Sequence, residues 1–509
     1  MPASKHVLRG GAVTIPVIGG LLALVNMGAQ AQRIDLEQAP DVRGLAIVPH
    51  ISISETYTDN YRLAAENEQS ELITQVSPGL RLSSNFGRIK GFVDYSLASI
   101  AYARNSASNN FQNSLLASMN AEAVENWAYL DINGSVSQQS VSAFGTRSVD
   151  SQLVDANRAE VSTFSVSPYV RGRLADVANY EVRLVHTASN SDVSNASDST
   201  TTSGQMQISG NRRALGWSAN ASRQVVDFSA SRQTENDRLN GALSYAVIPE
   251  LVLSVRGGRE FTNVTSVDKR SSSTSGLGLA WTPTDRTTIS ADRERRFFGN
   301  SHTISFRHRM PRSAWTFSSS RGISSESDPV FVNLGTWNDL ISALDAITGD
   351  QFRRDLIARG GSPTDPIIGQ FLKSSVSVQR GQNMSFALLG LRDTITFSAS
   401  RSEHRRLDNV MPNIFDDFSS TDVIRQRGLS LRLAHRLTPQ SSLDVGVARE
   451  KTTGTLASQA VTLRSINVNW STKLGQRTGL TLGMRRALFD SSSSPYAVLG
   501  LSAALNMQF

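Results

Sequence analysis

The chain has no cysteine, little lysine and no long apolar run beyond its first 31 residues. Without cysteine it has no disulfide framework, no thiolate metal site, no cysteine nucleophile and no lipid-bearing N-terminal cysteine. Lysine accounts for six of the 51 basic residues, which leaves 45 arginines. These arginines are spread along the chain and form no basic run interleaved with aromatics, so nucleic-acid binding is not predicted.

Sequence motifs for catalysis are also missing. The chain has seven histidines, but no His-x-x-x-His pair and no paired-carboxylate metal pattern. It has no Gly-x-Ser-x-Gly elbow and no phosphate-binding loop. The sequence therefore predicts no enzyme, no metal site, no cofactor and no catalytic residue.

The N-terminus is typical of an export signal. Lys5 and Arg9 precede the apolar run 10–25, and Ala29-Gln30-Ala31 is a small-residue cleavage site. We expect residues 1–31 to be a signal peptide and residues 32–43 to be a short periplasmic segment. That segment is too short for the plug domain of a TonB-dependent receptor, so such a receptor is not expected.

Alternation of apolar and polar residues dominates the rest of the chain. Leu429, Leu431 and Leu433 alternate with Ser430 and Arg432, for example. Period two places apolar side chains on one face of a strand and polar ones on the other. A soluble all-β sandwich would bury the apolar face. Because the polar face recurs over so many strands, we favour a transmembrane antiparallel β-barrel of the outer membrane, with lipid outside and a polar lumen.

We predict about 22 strands, within a range of 16 to 22, in a barrel spanning residues 44–509. An even number places both termini on the periplasmic side. Tight turns with proline follow only even-numbered strands, so all of them lie on that side as well. These prolines are Pro249, Pro283, Pro311 and Pro439.

Two local departures from the pattern lead to further predictions. Val461 and Leu463 have the opposite parity to Ile466 and Val468, which predicts a β-bulge near Arg464. Apolar residues at helical spacing, from Trp337 onward, predict a short helical insertion over 335–372. This insertion either packs on the barrel rim or forms a lid or lumen constriction.

The last strand ends in an aromatic residue. Leu499, Leu501, Ala503, Leu505, Met507 and Phe509 alternate with small or polar residues. A terminal Phe509 on such a strand resembles the signal read by the barrel-assembly machinery, which we expect as a partner. Closure of the barrel requires this strand to pair with the first one, near 44–57.

Arginine is the residue type that points most directly to function. Seven arginines on or beside strands are candidates for the lumen wall: Arg293, Arg295, Arg307, Arg309, Arg425, Arg427 and Arg432. Arginine facing mid-bilayer lipid would cost about 2–4 kcal/mol, which favours the lumen. They form either a structural network with nearby carboxylates or a lining that attracts anions.

Several segments resemble a family of outer-membrane proteins associated with the PEP-CTERM/exosortase system. The most specific is Ser54-Glu55-Thr56-Tyr57-Thr58-Asp59-Asn60, and Val76-Ser77-Pro78-Gly79-Leu80 and Ser165-Val166-Ser167-Pro168-Tyr169 are similar too. The resemblance implies a barrel linked to exopolysaccharide or surface-protein export, and it brings no catalytic residues.

Three functions follow as hypotheses. The first is a polar, Arg-lined channel associated with exopolysaccharide or PEP-CTERM surface export. The alternatives are a general diffusion porin and a structural or adhesion barrel with a closed lumen. Expected partners are outer-membrane lipid, lipopolysaccharide, the barrel-assembly machinery, and exopolysaccharide or export-system proteins.

Overall fold

The computed structural model describes residues 44–175, 177–193, 198–212, 214–229, 231–324, 371–373, 375–407 and 416–509. The predicted signal peptide, the periplasmic segment 32–43 and nearly all of the predicted insertion 335–372 lie outside these residues. Within them, no helix is long and apolar enough to cross a membrane.

The described chain forms 22 strands in one closed antiparallel β-barrel, as predicted. Each strand pairs with the next along the chain, and β1 pairs with β22 from His50↔Gln508 to Thr58↔Gly500. The backbone N–H of Phe509 also donates to the carbonyl of Pro49 at 2.9 Å. The predicted closure between the first and last strands is therefore confirmed.

The strands are β1 (Leu45–Thr58), β2 (Glu71–Phe86), β3 (Ile89–Tyr102), β4 (Asn110–Val124), β5 (Ala128–Ser140), β6 (Arg158–Leu174), β7 (Ala178–Ser191), β8 (Ser199–Arg212), β9 (Leu215–Phe228), β10 (Thr234–Ile248), β11 (Leu251–Thr262), β12 (Arg270–Thr284), β13 (Thr287–Arg296), β14 (Gly299–Met310), β15 (Ser313–Ser324), β16 (Ser377–Leu389), β17 (Asp393–Arg406), β18 (Val423–Arg436), β19 (Ser441–Thr453), β20 (Ala460–Lys473), β21 (Thr478–Asp490) and β22 (Tyr496–Gln508). In the part of the chain that the structure describes, three short 3₁₀ helices cover Ser106–Ser108, Asp417–Ser419 and Ala457–Gln459.

The two rims of the barrel differ in the length of their connections. Short turns follow the even-numbered strands. Pro249, Pro311 and Pro439 lie in such turns, and Pro283 lies beside one, in the last two residues of β12. We call this rim, which also holds both ends of the barrel domain, the turn end. Longer connections follow most odd-numbered strands at the opposite rim, the loop end. Short turns at one rim and longer loops at the other are typical of outer-membrane barrels.

Strand alternation divides the wall into an outer and an inner face. On β18, Leu429 and Leu431 are 52% and 50% exposed on the outer face. Between them Ser430 faces the lumen, where its hydroxyl lies 2.5 Å from that of Ser398 on β17. Residues that pair across neighbouring strands lie on the same face of the wall. The outer face is therefore apolar over the middle of the barrel, and the inner face is polar.

The β-bulge predicted near Arg464 is wrong. Arg464 pairs in unbroken register with Arg449 on β19 and with Leu488 on β21. Val461 and Leu463 face inward and are buried because this part of the inner face is covered by other apolar side chains. The change of parity marks a change in what lies inside the barrel, without a change in register.

Candidate functional site: a loop inside the barrel lumen

The seven candidate arginines lie on both faces of the wall. Arg307, Arg309 and Arg432 are on the inner face. The prediction is wrong for the other four, which are on the outer face: Arg293, Arg295, Arg425 and Arg427. Arg293, for example, pairs with the outward Leu277, which is 68% exposed. These four lie near the loop end, beyond the apolar outward residues of their own strands, where polar residues occupy both faces of the strand and alternation no longer separates them.

Most inner-face arginines whose contacts are described are paired with carboxylates. On β10–β13 three such pairs lie side by side: Arg238 with Glu294, Arg256 with Asp292, and Arg296 with Glu260. Glu260 is fully buried beneath its partner. The Arg256–Asp292 pair passes over Gly278 of β12, where a Cβ atom would overlap the Asp292 carboxylate. A larger residue at this position would force the Ser254 and Asp292 side chains to move.

Further arginine–carboxylate ion pairs connect other strands of the inner wall. Arg432 on β18 contacts Asp444 on β19 at 2.6 Å. Arg183 contacts Asp131 at 2.7 Å. These contacts support a structural network for Arg432, one of the two roles left open by the sequence. Arg307 makes no ion pair within the described residues, and its side chain is exposed to the lumen.

The connection between β5 and β6, residues 141–157, folds into the lumen, and we call it the inner loop. Its shape is held by two of its own side chains. The Asp155 carboxylate accepts hydrogen bonds from Thr146 Oγ1 at 2.6 Å and from the Ser148 backbone N–H at 2.9 Å. Asn157 Nδ2 donates to the Thr146 carbonyl at 2.8 Å. A side chain at Gly145 would collide with the Asn157 carboxamide, so this close approach requires glycine.

Polar groups of β1, β3 and β21 hold the middle of the inner loop. Gln152 Nε2 donates to Ser54 Oγ at 2.9 Å, and the Tyr102 hydroxyl donates to the Gln152 carbonyl at 2.6 Å. On β21, Arg485 Nη1 donates to the Val149 carbonyl at 2.6 Å. The loop is therefore tied to several strands, and each bond uses an inward-facing side chain.

Arg147 forms a buried ion pair between the inner loop and β19. Its guanidinium lies 3.2 Å from the Glu450 carboxylate and also donates to the Ala143 carbonyl at 3.1 Å. The Arg147 residue is only 6% exposed. The Tyr496 hydroxyl of β22 donates to the Arg147 carbonyl. A buried charge pair is costly to break, because the remaining partner stays uncompensated.

Apolar packing completes the attachment of the inner loop. Leu153 is 5% exposed and packs in a buried cluster with inward residues of β2, β3 and β20–β22 and with the β1–β2 connection. We call this the loop-end cluster; its other members are Tyr61, Leu63, Ile73, Ile100, Tyr102, Val461, Leu463, Ala487, Phe489, Tyr496 and Val498. It explains why the inner face of these particular strands becomes apolar near the loop end.

The β17–β18 connection holds the start of the inner loop. The Asp417 carboxylate accepts hydrogen bonds from Ser142 Oγ and from the Ala143 backbone N–H, both at 2.6 Å. Burial raises the pKa of Asp417 above its ordinary value, and the two hydrogen bonds only partly oppose this effect. Phe418 and Ala143 also share a buried apolar cluster with Phe371.

The C-terminal end of the predicted helical insertion meets the inner loop region. The Leu372 N–H donates to the carbonyl of Ser140, at the end of β5, at 3.1 Å. Phe371 packs edge-on against His404, with ring centroids 5.5 Å apart. The rest of the insertion, and with it the choice between rim packing and a lid, lies outside the described residues.

The inner loop thus crosses the lumen near the loop end. It leaves β5, returns to β6, and contacts β18 and β19 nearly opposite them in the closed barrel. Sequence reasoning missed it, because its anchors are distant in the chain. The available signal was the parity change at Val461 and Leu463, together with apolar residues such as Leu153 in a long connection.

Among the described residues, no group of three or more histidine or acidic side chains is arranged to hold a metal ion. The lumen has a polar wall of paired charges with a few inward cations. The inner loop is held across it by hydrogen bonds and ion pairs that water can replace. Chemically, it is suited to occluding or admitting a hydrophilic solute.

Comparison of the chain with known proteins gave matches among solved structures alone. No protein-family model matches the chain, and no curated protein matches it. Among solved structures, the FrpB iron transporter from Neisseria meningitidis is 12% identical, with 92% of this chain and 82% of that chain covered and a TM-score of 0.48. The siderophore receptor PirA from Pseudomonas aeruginosa is 8% identical, with coverage of 91% and 80% and a TM-score of 0.45.

Proposed function

We propose that the chain is an outer-membrane channel whose lumen is constricted by the inner loop, and that it serves export of exopolysaccharide or surface proteins. The observation that supports the channel most strongly is the polar inner wall of a closed barrel, crossed by one anchored loop. A closed barrel satisfies every ladder hydrogen bond internally, which a membrane-spanning sheet requires. An apolar outer band and a polar lumen fit this setting.

The outer band supports the membrane location. On β18 and β19 the outward residues over the middle of the strands are aliphatic, among them Leu433, Leu431, Val445 and Val447. Four such side chains exposed to water on neighbouring strands would form a large apolar patch, which water-soluble proteins avoid. Facing acyl chains, the same rows stabilise the barrel in the bilayer.

The motif that carries the family resemblance supports the link to export. Its first residue, Ser54, holds Gln152 of the inner loop. Its last residue, Asn60, donates through Nδ2 to the Ala64 carbonyl at 2.7 Å and to the Ala497 carbonyl of β22 at 3.1 Å. The motif therefore joins the closure of the barrel to the position of the inner loop, the two features on which control of the lumen depends.

Planar-bilayer conductance of the purified full-length barrel tests the channel. We expect brief, small conductance steps, with longer and larger steps when the inner loop is released by L153A. A barrel that stays silent in both forms contradicts the channel and favours the structural or adhesion barrel with a closed lumen.

A deletion strain tests the export role. Loss of cell-surface polysaccharide or of exported surface protein, restored by the wild-type chain, supports it. Normal surface material together with reduced uptake of small solutes supports the general diffusion porin instead. Because conductance and surface display are measured separately, failure of the export role leaves the channel intact.

A further inference from the structure

One side of the barrel carries a dense group of cations on its outer face. Nine basic residues project outward from β15–β20 in their loop-end halves, and Glu403 is the only outward carboxylate among them in the described residues. We call this the basic face; its cations are Arg321, Arg380, Arg401, Arg405, Arg425, Arg427, Arg449, Lys451 and Arg464. Most of them are exposed.

Several of these cations lie directly opposite one another across the strands. Arg401 pairs in register with Arg427, and Arg427 with Lys451. Arg449 pairs with Arg464 on the next strand. Like charges directly opposite each other destabilise a sheet. Within the described residues, neither Arg401 nor Arg427 contacts a carboxylate that would relieve the repulsion.

The acidic contacts of the basic face are few. Glu403 lies 3.1 Å from Arg425 and 3.7 Å from Arg405, so one carboxylate is shared by two guanidinium groups. Arg464 lies 3.3 Å from Asp490 of β21 at a largely exposed position. The face keeps a large positive excess, and anions from outside the chain would lower its electrostatic energy.

The position of the cations relative to the apolar band identifies the kind of anion. On β18 the outward Leu429 is followed toward the loop end by Arg427, and on β19 Val447 is followed by Arg449. Leu429 lies opposite Arg449, so the change from aliphatic to basic differs by one outward position between these neighbouring strands. A ligand that fits this surface has acyl chains against the aliphatic residues in the middle of the barrel and negative headgroup atoms against the basic residues nearer the loop end.

Strands β1–β5 have no such face. The outward positions of β1–β5 hold no lysine or arginine along their described strands, and Glu55 lies among them. A cation ring needed only for general contact with the membrane surface would be expected on all sides. The asymmetry indicates a defined binding face.

We propose that the basic face binds the phosphate groups of a phosphorylated glycolipid of the outer leaflet, of the lipopolysaccharide class, with its acyl chains along the Leu429 and Val447 rows. Guanidinium groups bind phosphate oxygens as bidentate forks, and two facing arginines suit a group with several phosphate oxygens. The inference rests on the outer-membrane location proposed above, since the loop end then faces the leaflet that holds this lipid.

The test uses the purified full-length barrel in detergent and measures retained glycolipid by native mass spectrometry. The triple variant R401Q/R427Q/K451Q removes three charges from the basic face. The matched control R259Q/R293Q/R295Q removes three outward charges from β11–β13 near the same rim. We expect the first variant to retain glycolipid at least about tenfold more weakly and the control to be unchanged.

Other ligands and a charge-conserving variant test whether the phosphate groups of the glycolipid are recognised. The wild-type barrel should lose affinity for dephosphorylated glycolipid and should bind phosphatidylglycerol and inorganic phosphate more weakly. The charge-conserving variant R401K/R427K should retain most of the binding, and heat-modifiable gel migration shows that each variant is folded.

Equal glycolipid retention by the triple variant and the control would overturn the proposal. Equal binding of phosphatidylglycerol would overturn its preference for glycolipid. A barrel that conducts normally but binds no glycolipid refutes this inference alone. Absence of the barrel from the outer-membrane fraction refutes the location on which the inference rests.

Discussion

Replacement of Leu153 by alanine removes the apolar anchor of the inner loop. Leu153 is 5% exposed and packs among the tyrosines of the loop-end cluster. Truncation of a buried leucine to alanine costs about 2–5 kcal/mol. A loss of about 3 kcal/mol in loop docking corresponds to roughly a hundredfold increase in the ratio of released to docked loop. The barrel wall itself should be unaffected, because its ladder hydrogen bonds do not involve this side chain.

Single-channel recording in planar bilayers measures this ratio as open probability. We expect L153A to spend far more time at high conductance than the wild-type barrel, with the same gel migration of the folded form. L456A is the matched control, because Leu456 lies in the β19–β20 connection and is 58% exposed. Identical open probability in L153A, L456A and the wild type would show that the inner loop does not control the lumen.

Three further predictions concern charge and assembly. R147A leaves Glu450 buried without its partner, so docking of the inner loop should weaken by about 3–5 kcal/mol, measured as raised open probability. The pKa of Asp417 is raised in the docked state, so docking gains stability as pH falls through that pKa, and the gain is complete below the ordinary carboxyl range. Conductance should therefore fall on acidification, and D417N should flatten the pH profile. Deletion of Phe509, which is 63% exposed, should reduce the amount of barrel assembled in the membrane, measured by outer-membrane fractionation, while the unfolding temperature of the assembled fraction changes little. Normal assembly would refute its role as a signal.

The strands could be predicted from the sequence because the outward residues of every strand share the same apolar surroundings. Leu429, Leu431 and Leu433 face the same apolar surroundings, so the period-two signal is continuous, and proline turns mark the strand ends. Closure followed from the even strand number. These features depend on local alternation, which a single sequence contains.

The inner loop could not be predicted in this way. Its docking depends on contacts such as Gln152 with Ser54, which are 98 residues apart in the chain. Val461 and Leu463 are apolar and face inward because they pack in the loop-end cluster. Alternation alone does not distinguish an inner face that is covered by apolar side chains from a shift in strand register. The bulge prediction failed for this reason.

The placement of the arginines shows the same limit. Arg432 lies between outward leucines, so parity placed it on the inner face. Arg425 and Arg427 lie beyond the last of those leucines, where both faces are polar, and parity no longer decides. Only the register of neighbouring strands shows that these cations lie together on the outer face, with Arg427 opposite Arg401.

Locking the inner loop to the wall tests the central claim most directly. The chain has no cysteine, so S54C/Q152C introduces the only two thiols, at positions whose side chains are in contact. A short bismaleimide should join them, with each single-cysteine variant as a control. If the inner loop controls the lumen, cross-linking abolishes the large conductance steps, and they persist in the treated single variants. Unchanged large steps in a fully cross-linked barrel would contradict the account.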